Sequence, residues 1–394
     1  MAYLIKNGKI VTENGILEGY NLIVEEDIIS KIIRSDKSVQ LWDYEIIDAN
    51  GGYLTPGFID IHSDYIENMV SPRPTSIMNF GLGLKECEKI LLTSGITTMY
   101  HSLSFYKDDE FSSNKEIRKT ENVKKLVKEI NNTSNEEHLI RHRFHARFEV
   151  DNFRDLSILE QYIKEKSVHL ISFMDHTPGQ GQYRDLEVYR NTLKGYTEKK
   201  DGEIDRIIKE RKGREKLTIN NMREIVNIAR ENNISVASHD DDTIDKLEFV
   251  KDIGMNISEF PITIDVAKKA REMGLYTIAG APNVIIGGSH SGNLSAAEAI
   301  MEESIDILCS DYYPQALLHS IFILKDEYNQ KLSDVVNMVT LNPAKALKID
   351  KLYGSIEEGK KADLLIINED YLERPALSKV FVDGKLVFSM NYRV

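Results

Sequence analysis

No disulfide framework can hold this chain together, because its 394 residues contain only two cysteines, Cys87 and Cys309. Long hydrophobic runs are missing too, so no segment reads as a helix that spans a bilayer. The opening Met1-Ala2-Tyr3-Leu4-Ile5-Lys6 resembles a strand rather than a signal peptide. A cytoplasmic protein is expected. Positive charge is in short supply: 50 Lys and Arg stand against 63 Asp and Glu, a net charge of -13. That balance argues against general nucleic-acid binding. It leaves room for a small anionic substrate, provided the site brings its own Arg, Lys and backbone N–H groups. The hydrophobic share of 41% and charged share of 29% are those of a soluble globular chain. The length allows one large domain plus a small one.

What is present is organised in two styles. Residues 1–54 hold short strand-like pieces, such as Tyr3-Leu4-Ile5, Lys9-Ile10-Val11 and Asn21-Leu22-Ile23-Val24, broken by Asn7-Gly8 and Asn14-Gly15. Residues 345–394 repeat that style, with Asp383-Gly384 as a hairpin turn. The two ends are expected to pair into one small antiparallel β-sandwich domain around an inserted large domain, 55–344. There, strands and helices alternate, the signature of a parallel α/β fold. Eight candidate strands lie near Phe58–Asp64, Ile96–Ser102, Arg143–Val150, His169–His176, Ile234–Asp240, Met255–Phe260, Leu275–Ala279 and Ile305–Asp311. Eight predict a (β/α)₈ TIM-type barrel with its active site at the C-terminal strand ends. The pattern predicts a helix from Leu84 to Thr93, ending at Gly95. Lys107 to Glu137 reads as a charged surface helix pair. The polar, helix-prone stretch 184–215 reads as a lid or a solvated helical insertion, with even weight on each.

The strand ends carry the chemistry. Pro56-Gly57-Phe58-Ile59-Asp60-Ile61-His62-Ser63-Asp64 reads as a buried strand on which Asp60, His62 and Asp64 share one face and Ile59 and Ile61 the other. In Arg143–Val150, the residues Arg143, His145, Arg147 and Glu149 share a face directed into the barrel. Four ionisable groups there need pairing or metal. Asp175-His176, Ser238-His239-Asp240-Asp241 and Cys309-Ser310-Asp311 end three further strands. Each histidine alone is more often a structural, hydrogen-bonded one. Together, His62, Asp64, Glu149, His176, His239 and Asp311 suit a divalent metal: zinc first, Mn²⁺ or Fe²⁺ next, one ion or two. Asp311 is read as the group that orients water and takes its proton, with His239 as its catalytic companion. Cys309 is read as core. Gly287-Gly288-Ser289-His290, ahead of a helix-prone run, could present N–H groups to phosphate after the seventh strand. Arg73, in Ser71-Pro72-Arg73-Pro74, and Arg147 could add cations; a surface turn residue is almost as good a reading of Arg73.

These motifs resemble the amidohydrolase superfamily. Pro56-Gly57-Phe58-Ile59-Asp60-Ile61-His62 and Gly354-Ser355-Ile356-Glu357-Glu358-Gly359-Lys360-Lys361-Ala362-Asp363-Leu364 are similar to its end motifs. Met174-Asp175-His176-Thr177-Pro178-Gly179-Gln180, Glu259-Phe260-Pro261, Gly280-Ala281-Pro282-Asn283-Val284 and Ser310-Asp311-Tyr312-Tyr313-Pro314 resemble its diphosphatase branch, of the carbon–phosphorus lyase pathway. The resemblance implies hydrolysis of a ribose 5-triphosphate to a 5-phosphate and pyrophosphate, with Arg73, His290 and the glycine loop holding the anionic chain. It spans nearly the whole chain. Three departures from the wider superfamily stand out. His62-Ser63-Asp64 replaces the usual His-x-His, Glu149 would take the place of a carbamylated lysine, and His176 and His239 fall on the fourth and fifth strands, one earlier than its habit. The alternatives are a cyclic amidase or deacetylase using the same metal site on a C–N bond, and a catalytically silent scaffold. No nucleic-acid or membrane partner is expected, and a homo-oligomer is left open.

Overall fold

The computed structural model describes residues 2–37, 43–73, 75–105, 116–196, 200–288, 294–371 and 374–391. Eight parallel strands form the central sheet in strict chain order: β8 (Phe58–Ser63), β9 (Ile96–Phe105), β10 (Arg141–Glu149), β11 (Leu170–Met174), β12 (Ser235–His239), β13 (Ile257–Glu259), β14 (Tyr276–Gly280) and β15 (Ile307–Cys309). The ring closes where Ser63 bridges Asp311, with Asp311 N donating to His62 O at 3.0 Å and Asp64 N to Asp311 O at 3.1 Å. The expected eight-strand barrel is therefore present. His176 and His239 do follow the fourth and fifth of its strands.

Side-chain alternation sorts the layers on most strands. Phe144, Ala146 and Phe148 of β10 pack outward, in the core shared with the helices. Ala237, Ile257, Ile278 and Ile307 fill the barrel interior. In β8 the alternation fails. Its register against β9 is irregular between Phe58 and Ile59 and again between Asp60 and Ser63. Ile59 and Ile61 consequently join the interior cluster, yet His62 also reaches inward to Glu259. The expected face of Asp60, His62 and Asp64 is not formed. A register slip moves side chains to the other face, because their period along a strand is two.

Helices pack where apolar spacing dictates. The helix Phe80–Thr93 starts four residues before Leu84. Its first turn carries Gly81 and Gly83, poor helix formers that hide it from propensity. Asn79 caps it by accepting from Leu82 N at 2.9 Å, and a Cβ on Gly83 would stand 2.8 Å from Val70. It ends at Ser94, before Gly95 at φ +90°. The expected surface helix pair in Lys107–Glu137 falls partly outside the described residues. Among the described residues it holds one α-helix, Thr120–Asn132, whose Val123, Leu126, Val127 and Ile130 are buried. That i, i+3, i+4, i+7 stripe marks a barrel-facing helix; residues 106–115 lie outside the described residues. In the 184–215 stretch, helices Leu186–Tyr196 and Asp201–Lys212 bury Tyr189, Leu193, Ile204 and Ile208 in a small cluster of their own.

The chain ends form two further sheets. One joins β5 (Ile28–Arg34), β4 (Tyr20–Glu25), β1 (Ala2–Lys6) and β6 (Glu45–Asp48). The other joins β18 (Lys385–Ser389), β17 (Arg374–Val382), β16 (Leu364–Tyr371), β7 (Tyr53–Pro56), β2 (Lys9–Thr12) and β3 (Gly15–Leu17). Both ends thus meet in one sheet, through the antiparallel β16–β7 pair. The unit is mixed rather than antiparallel, since β1–β6 and β2–β7 run parallel. Asn7-Gly8 passes the chain from one sheet to the other instead of closing a hairpin. Asp383-Gly384 does close one, with both residues at positive φ, 46° and 71°. Among the described residues, no helix is long and apolar enough to cross a membrane.

Candidate active site and metal centre

The C-terminal ends of β8, β10, β12 and β13 bring imidazoles and carboxylates together. His62 Nδ1 lies 3.2 Å from Glu259 Oε1. Glu259 is fully buried and also accepts from Ser172 Oγ at 2.5 Å. His239 completes this group: one ligand atom from each of His62, His239 and Glu259 lies within 4.8 Å of the others. Burial holds the His62 imidazole well below its ordinary pKa, helped by the charges of Arg147 and His239. A neutral ring keeps a lone pair for a metal. His145, beneath them, pairs with Ser172 Oγ, Ser102 Oγ and Ile61 O at 2.5, 3.0 and 3.0 Å. Burial pushes its pKa down to about 3.

A second group adjoins the first. His176 Nδ1 contacts Glu149 Oε1 closely, and the His176 and His239 rings stand 6.3 Å apart. Burial opposes charge on His176, but the charge and hydrogen bond of Glu149 outweigh it and raise its pKa. Arg147 Nη2 stands 3.5 Å from His239 Nε2. On the other side of that ring, Nδ1 lies 3.0 Å from Asp240 Oδ2. Asp240 is driven down to about 2: burial acts against ionisation, while the neighbouring His239, His176 and Lys246 overcome it.

Asp311 is the outlier among the carboxyls, raised to about 7. Burial is the main cause, Asp64 adds its negative charge, Arg147 opposes, and Asp60 and Asp240 contribute. Three residues on this rim are left-handed: Asp240, Phe260 and Asp311, at φ 53°, 52° and 56°. For a bulky residue such as Phe260 that costs roughly 1–3 kcal/mol. Its N–H is fixed to Ile278 O at 3.0 Å, and its ring lies edge-on to His62 at 4.9 Å. Strain held in place by the barrel ladder aims these side chains at the mouth.

The remaining expected site residues are more scattered. Asp64 is partly exposed and paired with Arg118 at 3.3 Å, and Arg118 also grips Glu67 Oε1 and Oε2 through Nε, both at 3.0 Å. Arg73 is exposed in a short bridge with Ser76. Gly287 is a helix C-cap: at φ 79° it ends the short helix Ala281–Ile286, and Gly288 N donates to Asn283 O at 3.1 Å. Glycine is favoured there because a Cβ is strained at that φ. Ser289 and His290 lie outside the described residues. Cys309 is buried, its thiol donating to Ala279 O at 3.6 Å, as expected of a core residue. Glu259 was missed as a ligand candidate. Its signal was a carboxylate ending the short strand Ile257-Ser258-Glu259, the same signal that singled out Glu149.

Residues 53–387 match the Amidohydrolase family. The chain is 32% identical over 391 residues to the alpha-D-ribose 1-methylphosphonate 5-triphosphate diphosphatase of Escherichia coli (strain K12), covering 98% of this chain and 100% of that one. The chain belongs to the amidohydrolase family. It is a hydrolase. A shorter similarity links this amidohydrolase to the dihydroorotase of Bacillus cytotoxicus (strain DSM 22905 / CIP 110041 / 391-98 / NVH 391-98), 37% identical over 62 residues, 16% of this chain and 14% of that one. Among solved structures, N-acetylglucosamine-6-phosphate deacetylase from Pasteurella multocida superposes with a TM-score of 0.63 over 98% of this chain and 99% of that chain. At 16% identity, that likeness concerns the fold alone. The donors present here, two imidazoles and a buried carboxylate within reach of one point, fit the divalent metal usual in amidohydrolases.

Proposed function

We propose that this amidohydrolase cleaves α-D-ribose 1-methylphosphonate 5-triphosphate to the 5-phosphate and pyrophosphate, in phosphonate breakdown in the cytoplasm. The full-length similarity to the Escherichia coli diphosphatase carries this reading. The Arg147 guanidinium beside His239 supports it, since an anionic chain needs such a cation at the site. His62, His239 and Glu259 would hold a divalent ion, with zinc the best match. Glu149 and His176 stand ready to share it or to hold a second ion. When bound, such an ion polarises a phosphoryl oxygen and lowers the pKa of water to about 7.

The chain's own residues do the rest. Asp311 accepts a proton from the attacking water as its oxygen bonds to phosphorus. The bridging P–O bond breaks, and its electron pair leaves with pyrophosphate. That leaving group needs little protonation, so positioning and charge stabilisation dominate. Arg147 faces the developing negative charge, and Asp240 fixes the ring of His239. Arg73 extends the anion site outward: Arg73→Ala should raise KM for triphosphate substrates several-fold with metal content unchanged. Unaltered steady-state kinetics would remove Arg73 from the site.

The decisive assay supplies purified enzyme with the ribose triphosphate, nucleoside triphosphates and cyclic amides in parallel, and reads pyrophosphate release and ring opening. Pyrophosphate release from the ribose triphosphate in preference to the others is expected. Amide turnover without pyrophosphate would overturn the reading in favour of a C–N hydrolase.

A further inference from the structure

A second group of metal-ligating side chains lies on the opposite face of β10 from the active site. His142 of β10 and His101 of β9 point outward, in the same alternation as Phe144 and Ala146, toward the helix Phe80–Thr93. Glu88 of that helix meets them, and so does His138, from the segment leading into β10. Glu88 Oε2 stands 3.0 Å from His138 Nδ1 and 3.3 Å from His142 Nε2. One ligand atom from each of the three lies within 4.8 Å of the others. Around a tetrahedral ion bound at about 2.0–2.1 Å, neighbouring donor atoms are separated by about 3.3 Å. The two distances to Glu88 are close to that edge length.

We propose that Glu88, His138 and His142 form a second divalent transition-metal site, best matched to zinc, that clamps the segment before β10 onto the helix Phe80–Thr93. Hydrogen-bond accounting supports it. Without an ion, His138 must donate from Nδ1 to Glu88. In the neutral ring the buried Nε2 then has no hydrogen-bond partner among the described residues, and the Glu136 carboxylate stands 3.5 Å away. An acceptor nitrogen facing a carboxylate is a poor arrangement. With an ion on Nδ1, the proton moves to Nε2 and points toward Glu136. The same exchange at His142 reverses its hydrogen bond with His101, so that Nδ1–H donates to His101 Nε2, 2.9 Å away. Metal-bound histidines characteristically donate their second N–H in this way. A solvent molecule would complete the four positions.

Zinc alone is the probe. The background is His62→Ala/His239→Ala, which removes the main centre. This protein should still bind one zinc per chain after gel filtration without chelator. Adding His138→Gln should weaken that binding more than about 100-fold, beyond the about 10–100-fold loss that an outer-shell change brings. In the otherwise unchanged enzyme, His138→Gln should lose one equivalent of zinc and keep its turnover. Should the double background not fold, hydrogen exchange on the unaltered enzyme replaces it: zinc should slow exchange of the Leu139 amide, which donates to Glu88 at 2.9 Å, and His138→Gln should cancel that effect. Equal zinc content with and without His138→Gln, or exchange at Leu139 indifferent to zinc, overturns the site.

Discussion

Asp311→Asn should lower kcat by about 10²–10⁴-fold, the range expected for loss of a positioned proton acceptor, while fold and metal content stay intact. Asn keeps the shape and cannot take a proton. The carboxyl suits the task because burial, then the charge of Asp64, brings it to about 7. Near-normal turnover in the variant would show that the proton goes elsewhere. The same shift has a consequence for stability in metal-stripped protein. The folded pKa of about 7 lies above the ordinary carboxyl value of 3.8, so folding favours the protonated form. That stabilisation is fully present below about pH 4 and is lost as pH rises to about 7, with a ceiling of roughly 1.4 kcal/mol per pH unit. Stripped Asp311→Asn should therefore match stripped wild type near pH 4 and exceed it by up to a few kcal/mol at pH 8. Denaturant titrations at the two pH values read this directly; the same gap at both would show that Asp311 is not under such strain.

Glu259→Ala should be the most damaging substitution at the metal centre. Glu259 is fully buried and receives His62 Nδ1 and Ser172 Oγ. Removing the carboxylate leaves the buried His62 and Ser172 without their acceptor, and each buried polar group left unsatisfied costs about 1–3 kcal/mol. Glu259→Gln keeps the volume and one acceptor oxygen, so it should fold. It should still bind metal at least about 10–100-fold more weakly, since His62 loses the anion that sets its tautomer. Metal titration followed by mass spectrometry separates the two effects. Wild-type affinity in Glu259→Gln would confine Glu259 to packing.

Much of this architecture could be read locally. Most of the barrel strands announce themselves as short apolar runs ending in polar residues, because a strand buried in a barrel needs apolar faces until it reaches the mouth. Arg143, His145, Arg147 and Glu149 could be placed on one face from alternation alone, since β10 is regular against both neighbours. β8 misleads for the converse reason: its irregular pairing with β9 is a property of two strands together. Gly287 is ambiguous in the sequence because glycine serves both at a helix C-cap and in an anion cradle, and only the structure shows that it ends the helix Ala281–Ile286.

The amino-acid order by itself determined the barrel, the participation of both chain ends in one sheet, and the histidines and carboxylates at the strand ends. Each follows from sterics and burial over a few neighbouring residues. Tertiary structure alone decided which of those groups meet. His62 finds Glu259 across 197 positions of sequence, Asp64 turns to Arg118, and Glu88 finds His142 on the outer face of β10. Such meetings depend on ring closure and strand register, which are set by the packing of the whole barrel and leave no trace in the local pattern.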